Sequence, residues 1–381
     1  MEVYLDNNAT TPLSEEVLNE MAETMRVFGN ASSLHSPGVK ARKTIETARH
    51  RVATVLGSEE DEIIFTSGGT ESDNLAIMGY LRTTDKKHIV TSCIEHPAVL
   101  NVFRYLGNTG YDIDLIGVDE KGRVDPEEFC SVLRDDTAMI SIMMANNEVG
   151  AIQPVNEIVK GVKDYSEDIA VHTDAVQAFG KMRMNCRETG VDMLSVSAHK
   201  INGPKGVGAL YVRRGFKIEP VYFGGHHERG LRPGTENVQG IAGFGKASEV
   251  AVGIMAENIS RWDKLKKKLS DGISGSISDI RINSHQEYAI SNTLNVSFRN
   301  VEGEAVLLML DDAGINVSTG SACTSGTGEP SHVLKAMGLD ELDAKGSIRF
   351  SLGRYNTEDE IDYVIEKLDK VISRLREVSP L

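Results

Sequence analysis

The sequence predicts an α/β protein built on a doubly wound, mainly parallel sheet, and two observations lead to this prediction. Short strand-like runs recur through the first part of the chain, and amphipathic helical stretches lie between them. Strands that alternate with helices pair in parallel, because each helix crosses back over the sheet. The predicted strands are residues 63–65, 88–90, 113–116, 139–142, 169–172 and 194–196. Ligands of such folds bind beyond the carboxyl ends of the strands.

The first predicted helix follows Ser14, whose hydroxyl can cap it, and carries Glu15 and Glu16 in its first turn. Its predicted apolar stripe consists of Val17, Leu18, Met21, Met25 and Phe28. Further helical stretches cover residues 98–106 and 157–163.

The pattern changes after about residue 250, which predicts a second, smaller α+β domain. A long charged helix at 259–273 precedes shorter strands such as 293–298, and the chain finishes on a helix at 358–377. The extended start, residues 3–10, is expected to return to this domain. The expected division is a large domain of residues 15–252 and a small domain of residues 1–14 and 253–381.

Charge and cysteine content argue against several classes of protein. The 381 residues carry 41 basic and 56 acidic side chains, a formal net charge of −15, so nucleic acid and anionic membranes are not expected partners. The chain begins without a basic, apolar leader, and no apolar run approaches the roughly 18 residues that span a bilayer. The four cysteines form no C-x-x-C pair, which argues against a disulfide framework or a zinc site. We therefore expect a cytoplasmic protein with reduced thiols.

Lys200 is the first candidate for chemistry, because it follows the predicted strand 194–196 and stands next to His199. A lysine at a strand's carboxyl end, partly removed from water, has a lowered pKa and can form a Schiff base. An isolated lysine in this position is more often a solvated loop residue, so Lys200 alone does not decide the function.

Asp174 follows the preceding strand, and Gln177 comes three residues later. A turn aspartate is usually solvated. Pyridoxal phosphate, however, requires a carboxylate at its pyridine nitrogen, because the protonated ring is what withdraws electrons. Asp174 and Lys200 at neighbouring strand ends supply both groups, and Gln177 could reach the phenolic oxygen of the ring.

A phosphate site is indicated where strand 63–65 runs through Gly68 and Gly69 into Thr70 and a helix. Free backbone N–H groups at a helix start, together with the Thr70 hydroxyl, suit a phosphate monoester. The same pattern also occurs in ordinary β-to-α turns. The absence of a G-K-[ST] sequence argues against a nucleoside triphosphate.

Two further polar residues follow predicted strands. His96 comes after strand 88–90, where an imidazole can stack on a planar cofactor and relay protons, although loop histidines usually lie on the surface. Asn147 follows strand 139–142, and its amide could touch a cofactor or a substrate.

Cys323 differs from Cys93, Cys130 and Cys186 in its surroundings. It lies in a run of Ser, Thr, Gly and Ala, whereas the other three lie in or beside apolar or helical runs. Free cysteines are usually buried small hydrophobic residues. The composition around Cys323 is instead typical of an exposed, mobile loop in which a thiolate can react.

Two arginines late in the chain, and a polar loop at residues 226–235, offer further candidates. The guanidinium of Arg349 or Arg354 could bind a substrate carboxylate through two hydrogen bonds, or either residue could form a salt bridge between domains.

Thr235, in a polar loop, could offer its hydroxyl to a phosphate. His226 and His227 are adjacent and cannot both bind one ion from a helix, so no metal site is expected there.

These motifs, in this order, closely resemble the cysteine desulfurases of the NifS/IscS type, which are class-V aminotransferase family proteins of PLP fold type I. The resemblance covers essentially the whole chain. It implies a large, mainly parallel seven-stranded sheet domain and a smaller α+β domain that carries the cysteine loop. Its most specific segments are residues 66–71, 95–96, 146–148, 174–177, 195–206, 224–235 and 320–325.

The resemblance implies a role for each residue around the cofactor ring. Lys200 would hold pyridoxal phosphate as a Schiff base, and Asp174 would face the pyridine nitrogen. His96 would stack on the ring and relay protons. Gln177 and Asn147 would hold the phenolic side of the ring, and Asn147 would also contact the substrate.

The resemblance also implies the remaining contacts of the site. The chain is expected to form a homodimer, and Arg349 is expected to bind the substrate carboxylate, with Arg354 as the second choice. The implied phosphate ligands are Gly69, Thr70, Ser197 and His199, with Thr235 from the partner subunit.

The implied activity is the removal of sulfur from L-cysteine, which gives L-alanine and a persulfide on Cys323. The sulfur would pass to an acceptor for iron–sulfur cluster assembly or for tRNA thiolation. The expected acceptor is an IscU-like iron–sulfur scaffold protein, and Cys323 could be a ligand of a nascent cluster shared with it. The chain alone is not expected to bind a metal.

Two other functions are compatible with parts of the pattern. A selenocysteine lyase or another fold type I enzyme, such as an aminotransferase, would use the same cofactor, and a lyase specific for selenocysteine could spare Cys323. A cofactor-free binding protein with a degenerate site would have no visible absorbance and no borohydride-trapped adduct on Lys200. The joint presence of Lys200, Asp174 and Cys323 argues against this last alternative.

Overall fold

The computed structural model describes residues 1–319 and 330–378. Its strands are β1 (Val3–Tyr4), β2 (Ile63–Thr66), β3 (His88–Ser92), β4 (Asp112–Ile116), β5 (Thr137–Ser141), β6 (Ala170–Asp174), β7 (Met193–Ser197), β8 (Gly208–Val212), β9 (Ile280–Ile282), β10 (Thr293–Phe298), β11 (Ile315–Asn316) and β12 (Ser347–Ser351). Its α-helices are α1 (Glu15–Thr24), α2 (Ser36–Leu56), α3 (Gly69–Leu81), α4 (Pro97–Asn108), α5 (Pro126–Ser131), α6 (Val155–Tyr165), α7 (Cys186–Thr189), α8 (Val238–Gly253), α9 (Met255–Ser276), α10 (Gly303–Asp312), α11 (His332–Ala336), α12 (Glu341–Lys345) and α13 (Glu358–Val378). Within these ranges, no helix is both long enough and apolar enough to cross a membrane.

Seven strands form the large sheet, in the order β2-β8-β7-β6-β5-β3-β4. Strand β8 is antiparallel to both of its neighbours, and the other pairs are parallel. The prediction of a mainly parallel seven-stranded sheet is therefore confirmed, and the six predicted strands are β2 to β7. Strand β8 was not predicted. It follows β7 after a turn with no α-helix between them, so the strand–helix alternation that identifies the other strands gives no signal for it.

Apolar clusters cover both faces of the large sheet. One cluster joins the sheet to Ile45 of α2 and Phe244 of α8, and a second joins it to Ile77 of α3 and Phe103 of α4. A sheet buried on both faces is typical of doubly wound α/β folds, in which successive helices cross on opposite sides.

Helix α1 begins as predicted, because Ser14 accepts a hydrogen bond from the main-chain N–H of Val17. The predicted apolar stripe is only partly buried, since Val17 is buried whereas Met25 and Phe28 are 69% and 85% exposed. The helix ends before either of these two residues. The other predicted helices correspond to α4, α6, α9 and α13.

A second, antiparallel sheet has the order β12-β10-β9, and its core also includes residues of α9 and α13. The N-terminal strand β1 pairs in parallel with β11, and Asp6 bridges to Ser351 of β12. The start of the chain therefore pairs with strands β11 and β12. It then crosses to the large sheet, where the main-chain N–H of Thr11 donates to the carbonyl of His199. Asn8 and Ala9 lie between these two attachments.

Candidate active site

A cavity of about 340 Å³ lies at the carboxyl ends of the parallel strands of the large sheet. The predicted site residues that line it are Gly69, Thr70, His96, Asn147, Asp174, Gln177, Ser197, His199, Lys200 and Arg349. These residues come from separate turns along the chain, and the parallel sheet brings the turns together at one edge.

Lys200 follows β7 in a short 3₁₀ turn. Its Nζ donates to the main-chain carbonyl oxygens of Asn8, at 2.5 Å, and of Ala9, at 2.8 Å. Both oxygens belong to the segment that crosses from the C-terminal part to the large sheet. The catalytic-lysine candidate is therefore held by the start of the chain, almost two hundred residues away in sequence.

Asp174 ends β6 and is buried among other carboxyl groups. Its Oδ1 accepts a hydrogen bond from the main-chain N–H of Val176 at 2.9 Å. Burial raises the pKa of Asp174 to about 6, while the Val176 N–H and the charge of Lys200 act in the opposite direction. Burial and the charge of Asp174 also raise the pKa of Asp73 on α3. Within the described residues, the buried Oδ1 of Asp73 has no hydrogen-bond partner.

The turn between β2 and α3 requires its two glycines. Gly68 has φ 154° and ψ −177°, a combination that is essentially restricted to glycine. A Cβ on Gly69 would lie 2.7 Å from Cγ2 of Val176, too close for any real contact. The first N–H groups of a helix have no acceptor within the helix, so the start of α3 offers donors to a bound anion.

His96 caps the N-terminus of α4, because its Nδ1 accepts a hydrogen bond from the main-chain N–H of Ala98 at 3.1 Å. The neutral ring therefore carries its proton on Nε2. Burial, followed by the charges of Lys200 and His332, lowers the pKa of His96 to about 4. At neutral pH His96 is accordingly an uncharged ring that offers one N–H.

Arg349 and Arg354 lie five residues apart but occupy different environments. Arg349 is 2% exposed, lines the cavity, and pairs with Asp6 at 2.6 Å. Its Nε is buried and, within the described residues, has no hydrogen-bond partner. Arg354 lies outside this cavity and uses both Nη atoms on the carboxylate of Glu16, at 2.7 and 3.0 Å. The geometry therefore favours Arg349 as the carboxylate ligand.

Like Arg354, the predicted phosphate ligand Thr235 does not line this cavity. Thr235 is exposed. Cys323 belongs to residues 320–329, which lie outside the described ranges.

Sequence reasoning missed several residues that line the cavity, among them Asn8, Ala9 and Asp73. A signal for Asn8 and Ala9 was present in the polar run that begins at Asp6, directly after the extended start. Asp73 lies inside the predicted first turns of a helix, where an acidic residue is ordinary, so the sequence offered no distinguishing signal.

The residues present fit pyridoxal phosphate. Lys200 provides an amine for an aldehyde, and the carboxyl group of Asp174 lines the cavity and can pair with a protonated ring nitrogen. The start of α3, with Ser197 and His199, provides donors for a phosphate. All three features border the same cavity.

Comparisons with known proteins agree with this geometry. Residues 3–364 match the family model described as Aminotransferase class-V. The chain is 49% identical to a cysteine desulfurase IscS from Dictyoglomus turgidum, over 100% of this chain and 96% of the relative. Among solved structures, a NifS-like protein has a TM-score of 0.93 at 42% identity, covering 98% of this chain and all of its own. The structure described as SspA in complex with cysteine has a TM-score of 0.82 at 35% identity, over 93% of this chain and all of its own. The chain therefore belongs to the class-V aminotransferase family and, within it, to the cysteine desulfurases of the NifS/IscS type.

Proposed function

We propose that this chain removes the sulfur atom of L-cysteine, releases L-alanine, and carries the sulfur as a persulfide on Cys323. The observation that supports this most strongly is the shared cavity of Lys200 and Asp174, with Arg349 beside them. The amine, the carboxylate and the guanidinium are the three groups that a cofactor-dependent reaction of an amino acid requires.

Pyridoxal phosphate, when bound, supplies an electron-withdrawing ring that makes the Cα proton of the amino acid acidic. Lys200 would act as the general base, because its amine borders the cavity and can accept that proton. The Asn8 and Ala9 carbonyls, which hold the amine now, give the released lysine a defined position.

Arg349 binds the α-carboxylate of the substrate in this proposal. Its buried Nε–H lacks a partner within the described residues, and a second donor on Nη would complete a two-bond contact. Its Nη2 donates to Asp6 at 2.6 Å and its Nη1 to the carbonyl of Asn147 at 3.1 Å, so the guanidinium is already held and little side-chain entropy is lost on binding.

His96 contributes a neutral ring with a hydrogen-bond donor at Nε2. Because Nδ1 is occupied by the Ala98 N–H, the ring cannot accept a proton without breaking the helix cap. His96 therefore positions groups through its Nε2–H and its flat face, and a relay of protons through it would require that cap to open.

The sulfur transfer balances without an external oxidant. The Cys323 thiolate forms a bond to the sulfur of the substrate, and the bond between that sulfur and the substrate Cβ breaks. The carbon gains a proton and becomes the methyl group of alanine. One cysteine and one thiol thus give one alanine and one persulfide.

Replacement of the sulfur acceptor tests the proposal. Cys323→Ala is expected to keep the visible absorbance of the bound cofactor and its change on addition of cysteine, but to lose sulfide release. Cys93→Ala, at a free thiol elsewhere in the chain, serves as the control and should remain active. Full desulfurase activity in Cys323→Ala would remove the persulfide step.

The same variant separates cysteine from selenocysteine as the physiological substrate. A chain specialised for selenocysteine would still release selenide when Cys323 is replaced by alanine. We expect Cys323→Ala to lose more activity with cysteine than with selenocysteine, because the thiol of cysteine is a poorer leaving group than the selenol of selenocysteine.

We also propose that the chain works as a homodimer in which Thr235 reaches the phosphate site of the partner subunit. Thr235 is exposed, and so are the large apolar residues Phe28, Leu34 and Phe223 at 85%, 87% and 83%, which supports their burial by a second copy. Mixing Lys200→Ala with Thr235→Ala subunits should restore one intact site per mixed dimer. Activity no higher than that of either parent would contradict the shared site.

Further proposals concern the setting of the enzyme. We propose an IscU-like iron–sulfur scaffold as the acceptor, with Cys323 as a ligand of a nascent cluster, and the cytoplasm as the compartment. The free thiols of Cys93, Cys130 and Cys186 support a reducing environment.

We further propose that residues 15–252 act as the cofactor domain and that residues 1–14 and 253–381 form the domain that carries Cys323.

A further inference from the structure

A second lysine lies beside the active site and has no role in the mechanism above. Lys181 is 5% exposed, and its Nζ donates to Oε1 of Gln177 at 2.7 Å and to Oδ1 of Asn8 at 3.3 Å. Both partners are amide oxygens. Within residues 1–319 and 330–378, no salt bridge to Lys181 compensates its charge.

The charges around Lys181 disfavour its protonation. Burial, followed by the charges of Lys200 and Arg349, lowers the pKa of Lys181 well below its usual range. Asp6, two residues before the Lys181 partner Asn8, is already paired with Arg349. A buried amine without a carboxylate is costly compared with a methionine of similar length, so a local function is expected for it.

The hydrogen bonds of Lys181 continue to Lys200. With Oε1 of Gln177 held by Lys181, the amide group of Gln177 directs its Nε2 to the main-chain oxygen of Asn8 at 2.9 Å. That same oxygen accepts the bond from Nζ of Lys200 at 2.5 Å. A carbonyl oxygen has two lone pairs, so these two donors use both of them. The position of the Asn8 carbonyl thus connects the two lysines.

Lys181 also holds Asn8 through its side chain. The Asn8 Oδ1 accepts from Lys181 and from Nδ2 of Asn292 at 3.0 Å, and its Nδ2 donates to Oγ1 of Thr293 at 2.8 Å. Asn8 is therefore fixed between the large sheet and the second sheet. A change at Lys181 would loosen this fixation on one side only.

We propose that Lys181 is a positioning residue of the active site: its buried amine orients Gln177 and Asn8, and through the Asn8 carbonyl it sets the resting position of the Lys200 amine. The inference rests on the proposed function, since it assumes that Lys200 is the lysine that binds the cofactor. Lys181 itself lines a separate cavity of about 30 Å³ that it shares with Lys200, and it is not among the residues that line the larger one.

Capture of the cofactor by the cofactor-free protein tests this inference. Pyridoxal phosphate is added to wild type, Lys181→Met, Lys181→Gln and Lys266→Met, and the visible absorbance of the adduct is followed at several cofactor concentrations. Lys266 is the matched control, because it is also largely buried and donates to a carbonyl, that of Ile290, away from the cavity.

Lys181→Met is expected to lower the rate at saturating cofactor about tenfold, as the loss of one hydrogen bond in a positioning network implies. The half-saturating concentration, which reports the phosphate site, should stay within about twofold of wild type on the same reasoning. Lys181→Gln keeps an N–H donor and should recover most of the rate. Lys266→Met should capture the cofactor at the rate of wild type.

Three results would overturn the inference: an unchanged saturating rate in Lys181→Met, an equal loss in Lys266→Met, or failure of both Lys181 variants to fold. The last would assign the lysine to stability instead of positioning. If wild type itself forms no adduct, the proposed function fails and not this inference alone.

Discussion

The two ends of the active site, each taken together with the buried residues behind it, are built in opposite ways. At the amine end, Lys200 donates to two carbonyl oxygens and Lys181 to two amide oxygens. At the carboxylate end, Asp73 and Glu95 each keep a buried oxygen without a hydrogen-bond partner within the described residues. Burial is the largest cause of the raised pKa of these two groups and of Asp174.

This difference indicates that the amine end acts by positioning its groups, whereas the carboxylate end acts through electrostatics. The amine end holds its groups at defined places through hydrogen bonds from the start of the chain. At the carboxylate end, burial instead disfavours the ionised acids, and the positive charge of a protonated ring nitrogen would favour the ionised form of Asp174. One end thus provides geometry, and the other provides a reason for the ring to stay protonated.

The largest expected effect comes from removing the amine. Lys200→Ala should lower desulfurase turnover by at least about 10³-fold, because both the covalent attachment and the general base are lost. The visible absorbance of the lysine-bound cofactor should disappear as well. Lys217→Ala, at an exposed lysine in the same part of the chain, is the control for both measurements. Turnover within tenfold of wild type would show that another group is the base.

A smaller effect is expected from the two arginines, and it should differ between them. Arg349→Ala should raise the KM for cysteine about 10- to 100-fold, because a charge-assisted contact to the carboxylate is lost. Arg354→Ala should leave the KM within about threefold and instead lower the unfolding temperature, since it breaks the pair with Glu16 and the contact with the Tyr355 ring, both away from the cavity. Steady-state kinetics and thermal unfolding of both variants check this. A raised KM in Arg354→Ala and an unchanged KM in Arg349→Ala would show that Arg354 binds the carboxylate.

The smallest effect concerns the carboxylate end and its dependence on pH. Burial raises the pKa of Glu95 to about 8, with Ser92 and Met143 acting against it, so the folded state binds a proton that the unfolded state releases above about 4.5. This contribution to stability is present at low pH and is lost as the pH rises to about 8, with a slope of up to about 1.4 kcal/mol per pH unit.

Glu95→Gln imitates the protonated acid and keeps an acceptor for the Ser92 hydroxyl and the Met143 N–H. Its free energy of unfolding should therefore fall less between pH 5 and pH 8 than that of wild type. Urea titrations at saturating cofactor measure this, and Glu157→Gln, on the exposed side of α6, should follow wild type. Parallel curves for wild type and Glu95→Gln would show that Glu95 does not take up a proton on folding.

The same two ends differ in how far the sequence predicts them. Asp174, Lys200 and Gly69 each lie at the end of a strand or within three residues of it. The carboxyl edge of a parallel sheet brings such residues together. Local pattern was sufficient for them. Strand β8 was not predicted because its antiparallel pairing needs no helix before it. The order of the strands in the sheet cannot be predicted from the periodicity of the sequence.

The amine end could not be predicted in the same way. Its contacts join Asn8 to Lys181 and Lys200, across nearly two hundred residues, and they depend on how the start of the chain crosses between the two sheets. A lone buried lysine such as Lys181 has no distinctive sequence neighbourhood. The exposure of Met25 and Phe28 follows from a helix end that the apolar pattern does not mark.

One measurement tests the central claim most directly. Purified protein with its cofactor is incubated with one equivalent of L-cysteine and no reductant, alanine is quantified, and the peptide that contains Cys323 is weighed by mass spectrometry. The account predicts one alanine per active site and the mass of one added sulfur atom on that peptide. Alanine without added sulfur on Cys323, or no alanine at all, would contradict it.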